Sequence, residues 1–370
     1  MNIAIIGCGS IAATHLAASK KVRPDAKILL MDTQRPAADS LARQFDVAGI
    51  YDNLDQLLKE LPDAAHILTP PSTHFLIAER VLAAGCHVLL EKPATETGQE
   101  CERLCEIASR HNKLMAVDYS VLGMPVVRKA LRAVQSGEFG RLIALHCDFS
   151  CSWPGNTIPY ANPKHWAYNL PGGVLQNMAD HPASLVLAAM TPILEYKVAF
   201  STCNLLPNDN PDLLHVMLRS VDQIGSFTLS LGHGSSERRA CFLCEDATIV
   251  IDMGRQLFAC LKGRGPQNAI KKMLSGIQEG SAFTFGTLAN VLRVLTGRMR
   301  RDPGIMNIIA NFYNAISGQE QLWIVPETAL AVTSLLEKIW LEIGVAKEPG
   351  AMARFDYAHP GRAAMPEEHR

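Results

Sequence analysis

Lys92 stands directly after an apolar run, in Leu89-Leu90-Glu91-Lys92-Pro93. At the carboxyl end of a parallel strand, where open α/β sheets keep their ligands, such a lysine could hold a hydroxyl and take its proton. A neighbouring positive charge and partial burial would favour the neutral amine that proton transfer needs. The same tripeptide also fits a surface lysine paired with Glu91. A second stretch sets Trp153, Tyr160 and Trp166 among Lys164, His165 and several Asn, Pro and Gly residues, with Tyr168 at its end. Aromatic rings stack on the apolar faces of sugars while Asn, His and Lys read hydroxyls or a phosphate, although these rings could equally pack a domain interior. The 10 cysteines do not assemble a metal centre. Cys241 and Cys244 form the lone C-x-x-C, and in a strand an offset of three puts them on opposite faces. Cys101 with Cys105 and Cys147 with Cys151 can share a face but have no nearby His cluster, so no metal is expected.

These groups need elements to position them. Asn2-Ile-Ala-Ile-Ile runs into Gly7-Cys-Gly9-Ser10-Ile11-Ala12, a G-x-G-x-x-A turn opening a helix. Gly7 permits the tight turn, Gly9 lets the backbone approach a pyrophosphate, and small Ala12 lets helix and strand pack closely; the helix N-terminus supplies N–H groups and its dipole. Lys27 to Met31 reads as a second strand ending in Asp32, placed to accept hydrogen bonds from ribose hydroxyls. A 2′-phosphate would be repelled there, which favours NAD over NADP, while Arg35 could stack on adenine or meet such a phosphate. Strands and helices then alternate to Val117, which predicts a doubly wound, mostly parallel sheet over 1–120.

From 121 to 350 the pattern changes to long alternating strands with segregated helices, an α+β unit with an antiparallel sheet whose open face needs a helix or a partner subunit. A homo-oligomer, dimer or tetramer, through that sheet is therefore expected. Residues 263–303 interrupt the scheme as glycine-punctuated helices, with seven Lys/Arg against Glu279 from Arg264 to Arg301, and 351–370 reads as a tail. That segment could be a surface helix, or a contact for a partner, a phosphorylated ligand or a membrane surface. With 370 residues, 48% hydrophobic content and a formal net charge of −1, the chain can fill two cores and has no global field for nucleic acid. No run is long enough to span a bilayer, and scattered cysteines suit a reducing compartment, so a cytoplasmic protein is expected.

The Gly7 turn, Thr69-Pro70-Pro-x-x-His74, Ala84-Gly-x-His-Val-Leu-x-Glu91-Lys92-Pro93 and Gly172-Gly-Val-Leu-Gln-Asn177-Met-Ala-Asp180-His181 occur in an order that resembles the Gfo/Idh/MocA oxidoreductases. The resemblance covers most of the chain to about residue 190. It implies a Rossmann domain plus an open-faced α/β domain, and hydride transfer between a nicotinamide cofactor and a secondary alcohol or ketone of a sugar, nucleotide sugar or cyclitol. Cofactor contacts would come from Gly7, Gly9, Ser10, Ile11, Ala12, Asp32, Arg35, Thr69, Pro70, His74, Glu91 and Lys92. Catalysis would use Lys92 on the reacting hydroxyl and His181 to move its proton.

The resemblance breaks at Asn177, where the family often has an aspartate four residues before the histidine. Asn cannot carry the negative charge that stabilises an imidazolium. Asp180 would point a quarter-turn away, and Pro182 is expected to disfavour helical geometry at His181. Two other readings stay open: a glycosidase or lyase that keeps its NAD and oxidises transiently, and a non-catalytic NAD- or sugar-sensing protein.

Overall fold

The computed structural model describes residues 1–152, 162–164, 166–207, 210–232, 235–263, 269–297 and 303–346. The first apolar run forms β1 (Asn2–Ile6), and its neighbours are β2 (Lys27–Met31), β3 (Gly49–Tyr51), β4 (Ala64–Ile67), β5 (His87–Leu90) and β6 (Met115–Val117). All pair in parallel in the order β3-β2-β1-β4-β5-β6. Ile3, Ala4, Ile5 and Ile6 are all fully buried, because helices cover both faces and neither face of the strand meets water. The connections are α1 (Ala12–Val22), α2 (Arg35–Ala42), α3 (Leu54–Leu58), α4 (Pro71–Ala83) and α5 (Gly98–Arg110). α5 begins with a capping box: Thr97 accepts from the Glu100 N–H while the Glu100 side chain reaches back.

A second sheet follows α6 (Pro125–Gln135). It contains β7 (Leu142–Cys151), β8 (Glu195–Ser201), β9 (Leu213–Arg219), β10 (Ile224–Leu231), β11 (Glu237–Cys244), β12 (Ala247–Asp252) and β13 (Leu257–Lys262), ordered β13-β12-β11-β7-β10-β9-β8. Every pair is antiparallel except β7 with β10, where Phe227 stands opposite Cys147. Along β9, Leu214, Val216 and Leu218 are buried while His215, Met217 and Arg219 are exposed, so one face is packed and the other open. α7 (Gly173–Ala189) packs on the buried face, with Val186 and Met190 against Gly225 of β10.

Two expectations need correcting. α7 runs through His181 with Pro182 inside it. Proline withholds one N–H and crowds the preceding turn, yet the burial of Leu175, Ala179, Ala183, Leu185 and Val186 along this helix outweighs that local bias. Within the 263–303 segment the described residues form one long helix, α8 (Ala269–Leu295), that runs through Gly276, Gly280 and Gly286 rather than breaking at them. The chain then forms α9 (Pro303–Ile316) and α10 (Pro326–Ala346), which return to the first sheet: Tyr313 of α9 bonds Ser19 of α1, and Glu337 of α10 accepts the Gly98 N–H at the start of α5.

Candidate active site

A cleft of about 830 Å³ opens at the carboxyl ends of β1, β4, β5 and β6, where α7, β11 and α9 come to face the first sheet. Gly9, Ser10 and Ile11 form one wall at the N-terminus of α1, where unpaired backbone N–H groups and the helix dipole favour an anion. A Cβ on Gly9 would meet nothing within 4 Å, so the backbone is bare toward the cleft. Gly7 is different. Its φ is +92°, and a Cβ there would lie 2.9 Å from the backbone of Leu68 and from Thr69, so only glycine fits the turn. Asp32 fixes that turn by accepting the Cys8 and Gln34 N–H groups, each at 2.7 Å.

Opposite the turn, Lys92 reaches across to α7. Its Nζ donates to the Asn177 carbonyl oxygen at 2.6 Å and to Asn177 Oδ1 at 3.2 Å. His181 lines the same cleft four residues on, and its Nδ1 is buried without a hydrogen-bond partner among the described residues. Burial pushes the imidazole well below its usual range, and the charges of Lys92 and Arg238 push it further, so it is neutral at pH 7 and able to accept a proton. Asp180 turns away into the protein. Burial raises its carboxyl to about 6 against the pull of Lys92.

Behind this wall lies a buried polar chain that the sequence did not announce. His15 Nε2 is 3.3 Å from both Glu91 Oε1 and Asp118 Oδ2, and its Nδ1 is 3.0 Å from His66 Nδ1. His66 Nε2 meets the Tyr313 hydroxyl at 2.8 Å, which meets Ser19 Oγ at 2.7 Å. Burial alone would lower the imidazole of His15, but hydrogen bonds and charges from Asp118 and Glu91 overcome it and raise it to about 9. His66, lowered by burial and then by the charge on His15, stays neutral. The tautomers follow: His15 donates from Nδ1 to His66 Nδ1, which leaves the His66 proton on Nε2, facing Tyr313. His15, Glu91 and Asp118 place one ligand atom each within 4.8 Å of one another, and the imidazolium itself is the cation between the two carboxylates.

The expected residues sort accordingly. Gly9, Ser10, Ile11, Thr69, Pro70, Glu91, Lys92, Asn177 and His181 line the cleft. Glu91 bonds His15 and accepts the Lys92 N–H, and the alternative of an exposed Glu91–Lys92 side-chain pair is not what forms. Ala12 is buried beneath the turn, and Arg35 pairs along its own helix with Asp39. His74 is not on the wall at all. It is fully buried, with Nε2 2.8 Å from the Thr69 carbonyl and Nδ1 3.0 Å from that of Pro93, and so ties the Thr69–Pro70 loop to the Lys92–Pro93 turn. Lys164 is exposed, whereas Trp153, Tyr160, His165 and the side chain of Trp166 lie outside the described residues.

Sequence reasoning missed Asp118, Ser120, Arg238 and Ile305 in the cleft. Asp118 carried a usable signal, a carboxylate directly after a parallel strand. Arg238 carried none, since it reaches the site through the pairing of β11 with β7, opposite Phe149.

Residues 1–119 match the family model described as oxidoreductase family, NAD-binding Rossmann fold, and residues 127–250 match the GFO/IDH/MocA C-terminal domain. Among curated proteins, the chain is 27% identical over 188 residues to 1-carboxy-3-chloro-3,4-dihydroxycyclohexa-1,5-diene dehydrogenase of Comamonas testosteroni, covering 50% of this chain and 46% of that one. It is 29% identical over 121 residues to D-glucoside 3-dehydrogenase of Escherichia coli K12, covering 32% and 34%. The matched regions thus span less than half of these relatives. Among solved structures, the WlbA dehydrogenase from Bordetella pertussis, in complex with NADH and UDP-GlcNAcA, superposes with a TM-score of 0.70 at 18% identity, covering 93% of this chain and 95% of that one.

Proposed function

The chain belongs to the Gfo/Idh/MocA oxidoreductase family, and on that premise we propose that it is an NAD-dependent dehydrogenase or reductase acting on a secondary alcohol or ketone of a sugar, nucleotide sugar or cyclitol. One observation carries the reading: the cleft sets Lys92 and neutral His181 on the same lining as the backbone of Gly9, Ser10 and Ile11, with Gly9 bare toward it. Proton handling and phosphate binding therefore share one space. Gly9, Ser10 and Ile11 would hold the pyrophosphate of NAD, and Asp32, with lone pairs left after its two N–H bonds, the adenosine ribose. Thr69, Pro70 and Glu91 would flank the nicotinamide. When bound, NAD supplies the hydride acceptor or donor.

The protein's share of the work is positioning and proton transfer. Lys92 would donate to the substrate oxygen while Asn177 fixes the amine from the α7 side. Neutral His181 would take the hydroxyl proton, either directly or through Lys92. Trp153, Tyr160, Lys164, His165 and Trp166 stay the candidates for contact with the substrate sugar. The relatives named above as a glucoside dehydrogenase and as a structure holding a UDP-sugar support this substrate class.

Residues 1–120 and 121–350 would act as the cofactor and substrate units, with 303–346 packed on the first. The open face of the second sheet, with His146, His215 and Met217 on it, would be the self-association surface, as a dimer or tetramer. All ten cysteines are free, which supports a cytoplasmic location. Among the described residues no helix is long and apolar enough to cross a membrane.

Incubation with NAD⁺ and a panel of sugars and nucleotide sugars, followed by absorbance, tests the reading. Stoichiometric NADH and a keto product support it. Turnover without net NADH would replace it with transient oxidation, and binding without turnover would replace it with sensing.

A further inference from the structure

α8 has two unlike sides. Toward the protein it presents Gln278, Ala282, Gly286 and Asn290, spaced one turn apart. Gln278 donates to the Cys260 carbonyl, Asn290 donates to those of Arg255 and Gln256, and a Cβ on Gly286 would lie 2.9 Å from Leu257. The helix is thereby fastened along β13. On the opposite side Leu274, Ile277, Phe285, Leu288, Leu292 and Leu295 recur at helical spacing, and all are more than half exposed; Phe285 reaches 70% and Leu295 78%. From Gly280 to Leu292 there is no charged residue. Among the described residues nothing covers this stripe.

The charge around the stripe says what does. Between Arg264 and Arg301 the sequence holds Arg264, Lys271, Lys272, Arg293, Arg298, Arg300 and Arg301 against Glu279 alone, in a chain whose net charge is −1. An apolar stripe flanked in sequence by cationic residues fits a surface that offers hydrocarbon beneath anionic headgroups. A second copy of the same helix would bring two cationic segments together. At 27 residues the helix is about 40 Å long, enough to lie along a bilayer surface.

We propose that α8 is a membrane-surface anchor that seats the protein on anionic lipid through the Leu274–Leu295 stripe. The full chain is tested by flotation with vesicles of phosphatidylcholine alone or with about one third phosphatidylglycerol. Binding is expected to the anionic vesicles at least about tenfold above neutral ones, and to fall as salt rises from about 0.1 M to about 0.5 M, because screening weakens the headgroup attraction. Phe285→Asp with Leu292→Asp, both at exposed positions away from the cleft, should cut binding at least tenfold with unchanged circular dichroism and NAD affinity. Absence of flotation, equal binding to neutral vesicles, or undiminished binding by the double variant overturns the proposal. So does a dimer by light scattering that the double variant dissociates without any vesicle binding, since the stripe would then be a contact between copies.

Discussion

His15→Gln keeps a donor between Glu91 and Asp118 but removes the buried charge, and its effect can be worked through. The imidazole rises from 6.5 in a free histidine to about 9 in the fold, so the folded state favours the cation by roughly 3 kcal/mol. Because the folded value is the higher one, this stabilisation is complete below about pH 6.5 and is lost as pH climbs through about 9. Between pH 7 and pH 9 the wild type should therefore lose about 2 kcal/mol of stability from this group. The glutamine variant has no such term. His66, lowered by burial and by His15, titrates below this window, and thiol ionisation in the unfolded chain is common to both proteins. Urea denaturation at both pH values, read by circular dichroism, gives the two slopes. Parallel loss of stability in wild type and variant would refute the assignment of the charge to His15. The variant should also lower turnover, since Glu91 is then held beside Lys92 by a neutral donor in place of a charged one.

Lys92→Met should lower kcat at least about a hundredfold with NAD affinity nearly intact, since the amine faces α7 and the substrate side; normal turnover places the chemistry elsewhere. Asp32→Ala should erode the preference for NAD over NADP in titration calorimetry and loosen the Gly7 turn, which loses the acceptor for the Cys8 N–H. Asn177→Asp puts a carboxylate on Lys92 and one turn before His181, so the acid limb of the kcat profile should move upward by about one pH unit. An unmoved limb, together with a silent His181→Ala, would exclude His181 from proton transfer.

The first sheet was legible because each of its signals is local. Four apolar residues after Asn2, two glycines and an aspartate 23 residues beyond Gly9 specify a strand, a turn and the end of the next strand without reference to the rest of the chain. The Glu91-Lys92-Pro93 run was legible for the same reason. His74 misled because its signal is equally local but its ring turns inward to three backbone carbonyls. The polar chain from Asp118 to Tyr313 was invisible, since its members come from α1, β4, the ends of β5 and β6, and α9, and only packing brings them together. Pro182 shows the converse, a correct local bias overruled by an apolar helix face.

The return of α9 and α10 to the first sheet sets the order in which this chain can mature. His66 and Ser19, both fully buried, depend on a hydroxyl that is translated about 250 residues after His66, and the start of α5 waits for Glu337. A ribosome that has released only the first 120 residues holds a sheet with polar atoms facing an absent cover, and closing so long a loop is slow. An amino-terminal fragment cut near residue 120 should therefore be a poor autonomous folder despite its complete set of six strands. Shortening the carboxyl end into α9 should damage the cofactor half before the substrate half.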